Sequence, residues 1–172
     1  MKSNTRRLTL AALGAALVCV ATSIIKFPIP LGYAHLGNCM ILLFAVYCDP
    51  WVGAFAGGVG SALSDLLGYP EWTVPTLIIK TLMGLFIALI AKKKGETAKV
   101  RSLRTLVAVI VGIVTMVMGY FIGGSILYGS VITGAAQIPG LIAEGVVGIV
   151  LFYVIAAALE ATGLTKKFQI SD

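Results

Sequence analysis

Charge is scarce in this sequence. Only 12% of its 172 residues are Asp, Glu, Lys or Arg, against about a quarter in a soluble globular chain. With 59% hydrophobic residues and a mean hydropathy of +1.01, a water-soluble globule is excluded and an integral membrane protein is expected. Cysteine is sparse too. Cys19, Cys39 and Cys48 are scattered through apolar segments without C-x-x-C or histidine spacing, which indicates neither zinc nor a disulfide framework and leaves them as small core residues. No G-x-x-x-x-G-K-[ST] loop is present, so ATP binding through a P-loop is excluded. The glycine-rich Ala56-Gly57-Gly58-Val59-Gly60-Ser61 lies inside an apolar run, out of reach of cytoplasmic nucleotide. H-E-x-x-H and G-x-S-x-G are missing as well, which removes the common metalloprotease and hydrolase signatures. No catalytic residue, metal-ligand set or carrier-type internal repeat emerges.

The charge that is present is unevenly placed. Eleven of the thirteen Lys and Arg residues fall at residues 2–7, 92–104 and 166–167, and the exceptions are Lys26 and Lys80. Basic residues flanking apolar segments mark the cytoplasmic side. The net charge of +6 is explained by this placement, because the runs lack the interleaved aromatics and motifs of a nucleic-acid surface. Residues 8–25 are uncharged for 18 residues, longer than the apolar core of a signal peptide, and read as a retained helix.

A membrane helix needs about 20 residues, fewer when neighbours hold it. Residues 8–25, 75–91, 105–127 and 138–159 qualify directly. For the first two basic clusters to share a side, an even number of spans must separate them, so residues 36–48 and 51–67 become two more, turning at Asp49-Pro50. The last two spans turn around residues 129–134. The expectation is an all-α integral membrane protein: one domain over residues 1–172, a compact bundle of six transmembrane helices with both termini cytoplasmic.

Small residues at every fourth position, Gly53, Gly57 and Ser61 on span three and Gly119 and Gly123 on span five, suit close helix packing within the bundle. Span one carries Ala11, Ala12, Gly14, Ala15 and Ala16, a smooth face suited either to the bundle or to a partner helix. Lys80 follows Pro75 by five residues, and Glu144 follows Pro139 by five. Both therefore lie roughly 7–8 Å inside the outer end of their helices. Ionisable groups within a span are functional-site candidates by default, although an ion pair locking two helices is an equal reading of these two alone. The same outer end collects His35, Asn38, Asp65, Trp72, Tyr128 and Gln137, whereas the inner halves hold almost nothing polar besides Asp49. Convergent polar groups with aromatics at one end of a bundle suit a small-ligand pocket. Residues 27–33, apolar with Pro28 and Pro30, form either a lid over that face or a connector. Lys26 reads as a surface anchor.

Three segments, Tyr33-Ala34-His35-Leu36-Gly37-Asn38, Gly57-Gly58-Val59-Gly60-Ser61-Ala62-Leu63-Ser64-Asp65-Leu66-Leu67-Gly68-Tyr69 and Pro75-Thr76-Leu77-Ile78-Ile79-Lys80, together with the Ala-rich first helix, resemble the substrate-binding S components of energy-coupling factor (ECF) vitamin transporters. The likeness is greatest to the riboflavin, hydroxymethylpyrimidine and pyridoxine group. It implies a subunit of the bacterial plasma membrane that captures a vitamin or precursor from outside, a hydroxymethylpyrimidine or pyridoxine type being favoured over riboflavin. It also implies delivery through a transmembrane T component driven by two ATPase subunits. The chain would then be no enzyme and need no cofactor, since ATP is used by the partners. The face carrying Ala11, Ala12, Ala15 and Ala16 would dock on the T component. Relatives often carry an acidic residue where Asn38 stands, a departure at the expected site. From a different class, a small oligomeric channel would use the same polar cluster as its mouth. A membrane enzyme with Glu144 as base beside His35 has no motif behind it.

Overall fold

Prolines and hydroxyl caps divide the apolar sequence into elements. The computed structural model describes residues 2–24, 26–29, 32–92 and 98–167. Helix α1 (Lys2–Ile24) is followed by a hairpin of β1 (Lys26–Ile29) and β2 (Gly32–His35), then α2 (Gly37–Tyr47) and α3 (Pro50–Gly68). A 3-10 turn, Pro70–Trp72, leads into α4 (Thr73–Ala91). Helix α5 (Leu103–Leu127), the short α6 (Val131–Ala136) and α7 (Ile138–Ala161) complete the bundle. Of the expected features, Ile25, Pro30, Leu31 and residues 93–97 of the second basic cluster lie outside the described residues.

The α2–α3 turn shows how local chemistry sets a boundary. Asp49 precedes Pro50 and is extended (φ −76°, ψ 165°), as steric conflict with the proline ring requires. Its carboxylate accepts from Val52 N at 2.8 Å, capping α3, and receives Arg7 Nε at 2.7 Å, which ties the start of α1 to this turn. Ser102 caps α5 through Thr105 N at 3.1 Å, and Ser130 caps α6 through Thr133 N at 3.2 Å. Helix α6 occupies the turn expected around residues 129–134.

Among the described residues, four helical stretches, Asn4–Ile24, Pro70–Ala91, Leu103–Leu127 and Val131–Ala161, have the length and hydropathy to cross a bilayer. Along α5, Ile110, Val114, Met118, Ile122 and Ile126 form an exposed apolar stripe at every fourth residue, a surface suited to hydrocarbon. Helix α2 is different. At 11 residues it rises about 16 Å, half a hydrocarbon core. Ten of its residues are buried among α1, α3, α4 and α7. It is apolar all round because protein surrounds it. The molecule is a helical membrane bundle.

Glycine lets these helices touch. A Cβ on Gly57 would stand 2.8 Å from the Lys80 carbonyl oxygen, one on Gly84 would run into the Gly53 carbonyl, and one on Gly119 would meet Ile79 Cγ1 at 2.8 Å. The packing role expected for Gly53, Gly57 and Gly119 is therefore the one they have.

Two features go beyond what the sequence suggested. Residues 26–29 and 32–35 form an antiparallel ribbon, in which Lys26 pairs with His35 and Ile29 with Gly32. Pro28 fits because both strands of a two-stranded ribbon are edges. The inner end is also more polar than expected, since Glu160 accepts from Tyr47 Oη at 3.1 Å and from Val100 N at 2.8 Å. Its carboxylate joins α7 to the end of α2 and to the segment before α5.

Candidate functional site

Four helices and the hairpin bring the expected residues together. Lys80 on α4 is fully buried, and its Nζ donates to Asn38 Oδ1 at 2.7 Å and to Met116 Sδ at 3.1 Å. The other half of the Asn38 amide, Nδ2, donates to Glu144 Oε1 at 2.7 Å and lies 3.2 Å from Met116 Sδ. Lys80 Nζ itself stands 3.6 Å from Glu144 Oε1. Asn38 thus bridges an ammonium and a carboxylate, one atom of its amide serving each. A Cβ on Gly148 would stand 2.8 Å from Asn38 Cβ, so that glycine lets α2 and α7 approach closely enough for the bridge. Neither charge would be tolerated alone in this environment.

His35, at the end of β2, adds a third group. Its Nδ1 accepts from Gly37 N at 3.1 Å, so the proton of the neutral ring sits on Nε2, which points at Glu144 Oε1 from 3.5 Å. Burial, then the positive charge of Lys80, holds the His35 pKa well below its usual value.

Above the ionic cluster lies an aromatic wall. Tyr120 on α5 places its ring 5.4 Å from Lys80 Nζ and shares a hydrogen bond with Thr76 Oγ1 at 2.9 Å. Trp72, buried, packs tilted on Tyr120 at 5.4 Å and on Tyr128 at 6.1 Å, and its Nε1 donates to Tyr128 Oη at 3.1 Å. Gln137, the residue before α7, is buried beside Gly124 and the Trp72 ring. Asp65, buried near the outer end of α3, is within electrostatic range of Lys80 and Glu144. Lys26 is exposed on β1, beside Gly68 at the end of α3.

All eight expected site residues therefore fall in or beside one outer cluster. The sequence reasoning missed Thr76, Met116 and Tyr120. A signal existed: Thr76 and Lys80 share one stripe of α4, with Trp72 one turn ahead of it, and Met116, Tyr120 and Gly124 share one of α5, with Tyr128 one turn beyond. Expecting the partners of Lys80 on such a stripe would have found them.

The small-residue face of α1 is split. Ala11 and Ala15 are buried, and a Cβ on Gly60 of α3 would meet the Ala15 carbonyl at 2.6 Å. Ala12 and Ala16 are exposed. Consecutive helical positions lie about 100° apart, so one pair turns inward and the other outward.

Comparison with known proteins agrees with this architecture. The family model described as "ECF-type riboflavin transporter, S component" matches residues 2–161. The chain is 32% identical over 176 residues to the thiamine precursor transporter HmpT of Lactococcus lactis subsp. cremoris, covering 96% of this chain and 95% of that protein. An uncharacterized protein of Pyrococcus woesei is 40% identical over 114 residues, 65% of this chain and 74% of its own length. A solved S component of a bacterial ECF transporter superposes with a TM-score of 0.68 at 22% identity, covering 92% of this chain and 98% of that one. That likeness speaks for the fold. The chain belongs to the S components of ECF transporters.

Proposed function

We propose that this chain captures a small, flat, polar vitamin or vitamin precursor at its outer end and delivers it through an ATPase-driven T component. The observation that carries the reading is the juxtaposition of the buried Lys80–Asn38–Glu144 cluster with the Trp72, Tyr120 and Tyr128 wall. Stacking surface beside paired donors and acceptors is what a heteroaromatic ligand needs. The likeness to a thiamine precursor transporter over nearly the whole chain supports a hydroxymethylpyrimidine type ahead of a pyridoxine or riboflavin type. The basic clusters support an orientation with both ends of the chain in the cytoplasm, which puts the cluster on the outside. The exposed Ala12 and Ala16 offer the T component a smooth strip of α1. ATP hydrolysis belongs to the partner subunits.

Titration of the purified chain with a panel of vitamins and precursors tests this. The wild type is expected to bind one class tightly. Lys80→Met and Glu144→Gln should each weaken that binding, as should the double variant, which removes both charges together. A folded double variant that binds unchanged would make the pair purely structural.

A further inference from the structure

Most polar groups of the outer cluster engage one another. Lys80, Asn38 and Glu144 are mutually bonded, Trp72 is held by Tyr128, and Thr76 by Tyr120. Gln137 is treated differently. It is only 4% exposed, and its Nε2 has no hydrogen-bond partner among the described residues. It occupies the capping position of α7 yet makes no side-chain capping bond, so the amide is not spent on the helix. Its location is nonetheless built. A Cβ on Gly124 would overlap Gln137 Nε2 and stand 3.4 Å from Trp72 Cη2, so glycine at 124 is what lets the amide lie beside the indole. A buried donor left open in a packed site calls for a partner that arrives from elsewhere.

We propose that Gln137 is the specificity-determining residue of the site, pairing its carboxamide with the amidine edge of an aminopyrimidine whose ring lies against Trp72. This rests on the function proposed above and narrows it. A carboxamide presents a donor beside an acceptor, and the ring nitrogen and neighbouring amino group of a 4-aminopyrimidine present the complement, acceptor beside donor. A hydroxylated pyridine carries no amino group beside its ring nitrogen and meets the amide with one hydrogen bond at most. A site built to hydrogen-bond a group rejects the analogue lacking it, because its own polar atoms are then left open.

The test is calorimetric titration of the purified full chain with a 4-amino-5-(hydroxymethyl)pyrimidine and with its 4-deamino counterpart, in the wild type and in Gln137→Leu. The wild type should prefer the amino compound by about tenfold or more, and Gln137→Leu should bind the two within about twofold. The melting midpoint of the ligand-free Gln137→Leu chain should hold or rise, since an unpaired buried amide is replaced by an apolar group. Gln137→Met, unbranched and of similar reach, should behave alike. Equal binding of both compounds by the wild type, or a preference that survives in the variants, would overturn the role of Gln137 and leave the proposed site standing. A fall in ligand-free melting in both variants would make the residue structural and overturn it too. Failure of the wild type to bind either compound would overturn this assignment, and with it the hydroxymethylpyrimidine reading.

Discussion

Glu144 Oε1 accepts from Asn38 Nδ2 at 2.7 Å, deep among helices that present an apolar surface to lipid. The other end of the same amide receives Lys80, so the orientation of the amide is dictated by the two charges it joins. Breaking a buried pair from one side costs about 3–5 kcal/mol. Glu144→Gln should therefore lower the melting midpoint sharply. Asn38→Asp should do so as well, by setting a second carboxylate against the first. Combining Asn38→Asp with Glu144→Gln restores one negative charge beside Lys80, and the double variant should be more stable than either single one. Additive losses in this cycle would contradict the bridging geometry.

Stability should fall on acidification through His35. Its pKa is depressed by burial and by Lys80, so between its folded value and about 6.5 the unfolded chain binds more protons than the folded one. Stability from this group is thus complete above about pH 6.5 and declines below it. His35→Gln should flatten that limb of a melting-versus-pH profile, and an unchanged profile would show that the ring does not carry it.

Helix contacts at glycine should sort by clearance. Gly84→Ala forces a methyl group into the Gly53 carbonyl, and overpacking of this kind costs about 1–3 kcal/mol. Gly123→Ala meets Trp72, Pro75 and Ile79 at 3.5–3.8 Å, ordinary contact distances, and should melt like wild type. Equal effects at the two positions would deny the close α3–α4 crossing.

At the inner end, Glu160 holds Tyr47 and Val100. Tyr47→Phe should cost about 1 kcal/mol in melting experiments, the net worth of one hydrogen bond. Glu160→Ala should cost more, because it strands the Val100 amide as well. Identical losses would mean that only one of the two bonds matters.

On α1, Ala12→Trp and Ala16→Trp should leave the melting midpoint intact and reduce co-purification with a T component. Ala11→Trp and Ala15→Trp should damage the fold itself, since both residues are buried. Normal folding of the Ala15 variant would contradict the packing described.

The legible parts of this protein were those where chemistry and position coincide. Lys80 and Glu144 stood out because a charge inside an apolar run is rare, and their equal offsets from Pro75 and Pro139 matched their depths. The helices were visible as apolar runs bounded by prolines and basic clusters. Tyr120 and Met116 were hidden, because on an apolar helix such residues look the same whether they face lipid or the core, and only register against Lys80 separates them. The four alanines of α1 occupy positions i, i+1, i+4 and i+5, a pattern with no polar side to mark outward from inward. The hairpin was missed because two four-residue strands, one of them interrupted by Pro28, carry no periodic signal.

The most direct test of the central claim is mass spectrometry of small molecules retained by the gently purified wild-type chain, alongside the Lys80→Met/Glu144→Gln double variant. A nitrogen heterocycle recovered reproducibly from the wild type, and lost from the folded double variant, is the predicted result. Repeated recovery of no small molecule from the wild type, with no binding from a vitamin panel, would contradict it.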